Sequence, residues 1–171
     1  MSRSFHIDSK SSCLRLVISI LCPANYCKRS KYPTIGLGMK LSKNFHGMEL
    51  PCRTKIGVAG CKNSCTSVYS KDVGVITDLD GKMIVTVGGS AGYNQRRSDI
   101  VTKGLNEKEV FDLIKVILDY YNEEAYAGEK LGEFLDRISI EILLTFLQHK
   151  DRNSTRLNSS HKRSSRMPSS A

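Results

Sequence analysis

Two cysteines, Cys61 and Cys65, stand in the run Gly60-Cys61-Lys62-Asn63-Ser64-Cys65, directly after the apolar stretch Ile56-Gly57-Val58-Ala59. A strand that ends in a tight turn can aim two thiolates at one point. Thiolates are soft ligands, and soft ligands select iron–sulfur clusters, zinc or copper(I). A second pair, Cys22 and Cys27, lies upstream in Cys22-Pro23-Ala24-Asn25-Tyr26-Cys27. Two pairs supply four thiolates, the number that a cubane cluster needs. On these residues alone, a zinc site or buried thiols would serve Cys61 and Cys65 as well. Cys22 and Cys27 read as ligands ahead of the alternative, an incidental loop pair. Cys52 reads as an ordinary packed thiol, and Cys13 has no assigned role.

Cations surround this sulfur-rich turn. Arg53 and Lys55 are two apart on one expected strand, so both project to the same face. They precede Cys61 by only a few residues and would draw anions to a metal site. The alternative is a solvated strand face. Arg96 and Arg97 end the loop that begins at Gly88-Gly89 and could close on the same site. That glycine loop lacks the spacing of a phosphate cradle. It reads better as a turn where backbone approaches a cofactor. His46 reads as a surface or packing histidine.

Several elements must hold these groups. Arg53 to Ala59, Asp72 to Thr77 and Lys82 to Val87 read as strands, with an Asp80-Gly81 hairpin between the last two. The alternation of Ile35, Leu37, Met39 and Leu41 predicts a further strand. Ser64 to Tyr69 reads as a short helix. Asn106 followed by Glu109 fits a capping box. Behind it, Val110, Leu113, Ile114, Ile117, Leu118 and Tyr121 fall on one helical face. A second helix is expected from Leu131 to Leu144, with Leu131, Phe134, Leu135, Ile138 and Ile142 inside. Strands gathered ahead of helices predict an α+β domain.

A chain of 171 residues with 40% hydrophobic content can bury one real core. Its net charge is +9, which suggests an anionic partner. The stretch from Asp151 to Ala171 holds five basic residues and one acid, so it carries +4 of that total. Three segments follow: 1–19, read as poorly ordered or truncated; 20–148, the domain; and 149–171, a basic, serine-rich tail expected to be disordered. The string Arg152-Asn153-Ser154-Thr155-Arg156-Leu157-Asn158-Ser159-Ser160-His161 resembles a translated sequencing-adapter read-through, which would set it outside functional reasoning. The run Leu14 to Leu21 contains Arg15 and is too short to span a membrane. Paired cysteines without a secretion signal suggest a reduced, cytoplasmic setting.

The segment from Leu50-Pro51-Cys52-Arg53-Thr54-Lys55 through Gly60-Cys61-Lys62-Asn63-Ser64-Cys65 closely resembles the 4Fe-4S and siroheme domain of nitrite and sulfite reductases. Asp72-Val73-Gly74, Val87-Gly88-Gly89 and Tyr126-Ala127-Gly128-Glu129-Lys130-Leu131-Gly132-Glu133-Phe134 continue the match in order. The resemblance implies a mixed β-sheet with helices packed on it. It implies a 4Fe-4S cluster held by Cys22, Cys27, Cys61 and Cys65, with Cys65 also ligating a siroheme iron. It places Arg53 and Lys55 on a nitrite or sulfite anion; beside Cys65, the candidate cofactor-binding residues are Asn63, Gly88, Gly89, Arg96 and Arg97. Six electrons from a donor protein or subunit would reduce that anion to ammonia or sulfide. Three features depart from the family pattern. The first cysteine pair is spaced Cys-x4-Cys rather than Cys-x5-Cys. Lys62 stands where proline is common, and Cys52 where a polar or basic residue is usual. An electron-transfer protein with a cluster and no siroheme is one alternative. A zinc module binding nucleic acid through its positive charge is the other.

Overall fold

The computed structural model describes residues 16–21, 27–30, 32–65, 67–78 and 80–161. Five strands form one mixed sheet in sequence order: β1 (Val17–Leu21), β2 (Lys55–Ala59), β3 (Val73–Thr77), β4 (Met83–Val87) and β5 (Asp99–Leu105). β1, β2 and β3 run parallel, while β4 and β5 return antiparallel. Four helices, α1 (Thr34–Phe45), α2 (Glu107–Glu124), α3 (Leu131–Ile138) and α4 (Ile140–His161), complete an α+β architecture. No described helix is long and apolar enough to cross a membrane.

Alternation along the strands builds two cores. Ile56 and Val58 of β2, Val73 and Val75 of β3, and Met83, Val85 and Val87 of β4 face the helices. There they meet Leu37, Leu41 and Phe45 of α1 and Val110, Ile114, Ile117, Leu118 and Tyr121 of α2. Burying each such side chain contributes about 1.5–3 kcal/mol. The opposite face carries a smaller cluster of Ala59, Ile76 and Ile84 under Val68. Glycines make that second face thin. A Cβ at Gly57 would lie 2.8 Å from Lys71 Cγ, and one at Gly74 would lie 2.5 Å from Val68 Cγ1. The connection between β2 and β3 therefore lies flat on the sheet.

The segment 35–45 is a helix, not the strand its alternation predicts. Leu37, Leu41 and Phe45 share the four-residue spacing of a helical face and are at most 5% exposed, while Ile35 and Met39 are 47% and 55% exposed. Period two and period four both pass through Leu37 and Leu41. The topology decides between them, because parallel neighbours β1 and β2 need a crossover, usually a helix. Val17 to Ser19 belong to β1, although the first nineteen residues show no periodicity of their own. The expected helix from Leu131 to Leu144 is broken at Ser139 (φ 70°, ψ 145°) into α3 and α4. The break shifts the phase, so Ile142 is 52% exposed and Leu143 and Leu147 are buried. β5 is an edge strand with two register irregularities against β4 and a positive φ at Gly104, which blurs its alternation. The capping box is present, with the Asn106 amide donating to Glu109 Oε2 at 2.7 Å. The backbone of α4 continues to His161, into the stretch whose composition reads as a tail.

Candidate iron–sulfur site

The carboxyl ends of the three parallel strands lie at one edge of the sheet, the place where open sheets of this kind hold ligands. Leu21 pairs with Ala59, and Ala59 with Ile76. A cavity of about 430 Å³ opens there. Its walls come from Lys28 and Arg29 after β1, Gly60 to Asn63 after β2, and Thr77 and Asp78 at the end of β3. Cys61 sits half-buried on the wall, and Cys27 immediately precedes Lys28. Lys62 Nζ and Asp78 Oδ1 form an ion pair at 2.8 Å beside it.

The turn that carries the thiols is held by its own backbone. The Ser64 amide donates to Cys61 O at 3.3 Å, and the Ser67 amide to Ser64 O at 2.9 Å. Ser64 (φ 48°) and Ser67 (φ 53°) flank Cys65 in the left-handed region, a conformation that non-glycine residues adopt mainly in turns and at functional sites. The Ser64 hydroxyl accepts the Val68 amide at 3.1 Å and anchors a 3-10 turn over Val68–Ser70. The helix expected over Ser64 to Tyr69 is thus only this short turn. Cys65 itself is exposed.

Thiols are the right donor type for a sulfur-ligated group, and Cys61 is the one among the described residues that lines the cavity. Cys27, Cys61 and Cys65 are not in disulfides, and two of the three described loops at the cavity bring a thiol to or next to its wall. Thr77 is 1% exposed, yet its Oγ1 has no hydrogen-bond partner among the described residues. Leaving a buried hydroxyl unpartnered costs about 1–3 kcal/mol. Among the described residues, no three of His, Cys, Asp and Glu gather closely enough to hold a metal ion by themselves. Cys22, the remaining expected ligand, lies outside the described residues and directly follows Leu21 in the chain.

The cations expected beside Cys61 lie at the other end of the sheet. Lys55 starts β2 and Ala59 ends it, about 13 Å apart at 3.3 Å per residue. Arg53 is exposed and Lys55 half-buried. The same end holds Asp72, whose Oδ2 accepts the Lys55 amide at 2.8 Å. Gly88 and Gly89 also lie there and are closed over by protein. A Cβ at Gly89 would lie 2.4 Å from Lys71 O, and one at Gly88 2.5 Å from Leu135 Cδ1. Arg96 pairs with Asp99 at 2.7 Å and with Asp136 at 2.8 Å, and donates to Gly88 O at 2.9 Å. The Arg97 guanidinium stacks 4.8 Å above the Tyr69 ring. Asn63 lines the cysteine cavity. The structure therefore brings Asn63 and Cys61 together and sets Arg53, Lys55, Gly88, Gly89 and the paired Arg96 at the other end of the sheet, while Arg97 stacks on Tyr69, which packs against Ala59 and Ile76. Cys52 is buried, and His46 is exposed.

Thr77, Asp78 and Lys62 were not singled out from sequence as site residues. One signal was present. The inward positions of β3 run Val73, Val75, Thr77, so a hydroxyl occupies a position whose phase calls for an apolar side chain.

Asp72 gives the basic end a pH dependence. Burial pushes its carboxyl above the ordinary 3.8, against the Lys55 amide and the charges of Lys55 and Lys130. Above pH 3.8 the unfolded chain sheds this proton before the folded one, so the Asp72 contribution to stability falls as pH rises through that window. Asp72→Asn removes the titration. In urea melts at pH about 3 and about 6, the variant should gain stability relative to the parent at the higher pH.

Comparison with known proteins follows the same lines. The family model described as the nitrite and sulphite reductase 4Fe-4S domain matches residues 17–153. A nitrite reductase [NAD(P)H] of Bacillus subtilis is 28% identical over 127 residues, covering 74% of this chain and 16% of its own length. An assimilatory-type sulfite reductase of Nitratidesulfovibrio vulgaris is 25% identical over 123 residues, covering 71% and 56% respectively. The chain thus spans only part of these relatives. The crystal structure of dissimilatory sulfite reductase I superposes with a TM-score of 0.70 at 15% identity, over 78% of this chain and 52% of that one, which shows a shared fold. A mixed sheet with three parallel strands, thiols at their carboxyl ends and a family match from residue 17 to residue 153 place this chain in the nitrite and sulphite reductase 4Fe-4S domain family.

Proposed function

We propose that the chain is the cluster- and siroheme-binding part of a reductase that takes nitrite to ammonia or sulfite to sulfide. The observation that carries this reading is the cavity at the carboxyl ends of β1, β2 and β3, walled by Cys61 and by the residues next to Cys27. Cys22, Cys27, Cys61 and Cys65 would hold a 4Fe-4S cluster, and the Cys65 sulfur would also serve the siroheme iron. When bound, these groups supply the electrons one at a time, six in all.

The protein supplies position and charge. Lys28 and Arg29 add positive charge beside Cys61. A bare cluster needs little beyond thiolates. A basic group one strand's length away, with Arg53 and Lys55, is what a larger polycarboxylate ligand and an oxyanion would use. In this reading Arg53 and Lys55 hold the anion and hydrogen-bond its departing oxygens.

Anaerobic purification with ample iron and tetrapyrrole supply tests the reading. A Soret band together with acid-labile sulfide supports it. A broad brown shoulder alone indicates a cluster-only electron carrier, and zinc without colour overturns it. Arg53→Gln, at an exposed position, should leave iron and sulfide content unchanged while raising the KM for nitrite or sulfite about tenfold, a loss of about 1.4 kcal/mol of anion binding.

A further inference from the structure

The cysteine turn leaves the sheet after Ala59, the last residue of β2. It is next tied down at Ser64, whose hydroxyl accepts the amide of the fully buried Val68 at 3.1 Å. Between these points, among the described residues, one polar contact joins residues 60–63 to a part of the chain outside the turn: the ion pair of Lys62 Nζ with Asp78 Oδ1 at 2.8 Å. Asp78 is a firm anchor. Its amide donates to Lys82 O at 2.6 Å and its carbonyl accepts the Gly81 amide at 3.1 Å, which closes the hairpin between β3 and β4. The Lys62 amide makes no backbone hydrogen bond among the described residues. Lysine also lacks the ring with which a proline at this position would restrict the turn. Charge is left to hold it.

We propose that the Lys62–Asp78 ion pair is a latch that holds Cys61 in place at the cavity, which makes Lys62 and Asp78 positioning residues for that thiol. The latch belongs to the folded chain itself and goes beyond the reading above, since it acts whatever Cys61 ligates. Its two side chains are 58% and 27% exposed, so dissolved salt reaches and screens the pair. The turn is therefore tight at low ionic strength and loosens as salt rises.

Hydrogen–deuterium exchange of the full chain, purified with a chelator and read by mass spectrometry over residues 60–65, tests the latch. Lys62→Met keeps the aliphatic stem and removes the charge. It should speed exchange about threefold at low salt, the scale of one exposed pair. Asp78→Asn should do the same, the double variant should be no faster than either single one, and Lys62→Arg should match the parent. In about 1 M KCl, where the screening length is about 3 Å, the parent should exchange like Lys62→Met. Lys40→Met breaks the Lys40–Glu107 pair between α1 and α2 and should leave this segment unchanged. Alkylation of Cys61 by the uncharged reagent iodoacetamide gives a second readout. A latch predicts that Lys62→Met and Asp78→Asn both speed it, whereas a mere field effect on the thiol would move the two variants in opposite directions. Single variants that exchange with the parent at low salt, additive effects in the double variant, or alkylation rates moving oppositely overturn the assignment. The salt response of the parent needs no variant, so it decides the matter even if Asp78→Asn disturbs the hairpin.

Discussion

Cys61→Ser should strip the protein of labile sulfide and of its visible colour. Cys61 is half-buried on the wall of the cavity at the carboxyl end of β2. Serine is nearly the same size, so packing is preserved. Its oxygen is a harder donor that stays protonated near neutral pH, and a cubane held by four sulfurs does not tolerate it well. Iron and sulfide content should fall by about tenfold or more, and activity with it. The apo-fold should survive, because the main core lies under the helices and does not include Cys61. Far-UV circular dichroism and urea melts of the apo-protein should move by about 0.5 kcal/mol or less, as for surface substitutions. Cys52→Ser is the matched control. Cys52 is buried away from the cavity lining, so its replacement should leave the cluster in place.

Phe134→Ala should be the most damaging single change to the fold itself. Phe134 is 1% exposed. Its ring meets Tyr120 and Tyr121 edge-on, with centroids 5.8 Å and 5.6 Å apart. The Arg137 guanidinium lies 5.3 Å over the same ring. Removing a buried phenyl ring costs about 3–5 kcal/mol, a large share of the 5–15 kcal/mol that holds an ordinary domain together. The cost should spread beyond α3. Gly132 of that helix lies so close that a Cβ would approach Gly88 O to 2.8 Å, and Leu135 fills the space beside Gly88. Loosening α3 therefore loosens the turn that carries Arg96. Thermal unfolding should drop by on the order of 10 °C. A drop of only a degree or two would mean that α3 contributes little to the core.

Much of this architecture was legible because the residues at issue obey one period. β2, β3 and β4 alternate cleanly, Asp80-Gly81 supplies a hairpin with Gly81 at φ 73°, and α2 opens on a capping box. The cysteine turn was legible for the same reason, since a strand must end before Gly60-Cys61. What misled was degeneracy and geometry. Leu37 and Leu41 satisfy two periods at once, and only the parallel pairing of β1 with β2 demands a helix between them. Ser139 breaks a helix without a glycine or proline to announce it.

The cation placement shows a different limit. Arg53 and Lys55 are close to Cys61 along the chain, yet a strand between them converts sequence proximity into separation at opposite ends of the sheet. Gly88 and Gly89 look like an opening for a ligand. Their spare room is instead taken by the backbone of Tyr69 and Lys71 and by the side chains of Leu135 and Arg96.

The most direct measurement is a count of iron, acid-labile sulfide and zinc per chain in protein purified without oxygen. Cysteines at the carboxyl edge of the parallel strands predict about four iron and four sulfide per chain, and no stoichiometric zinc. One zinc per chain with no labile sulfide, or no metal at all under ample iron supply, would contradict it.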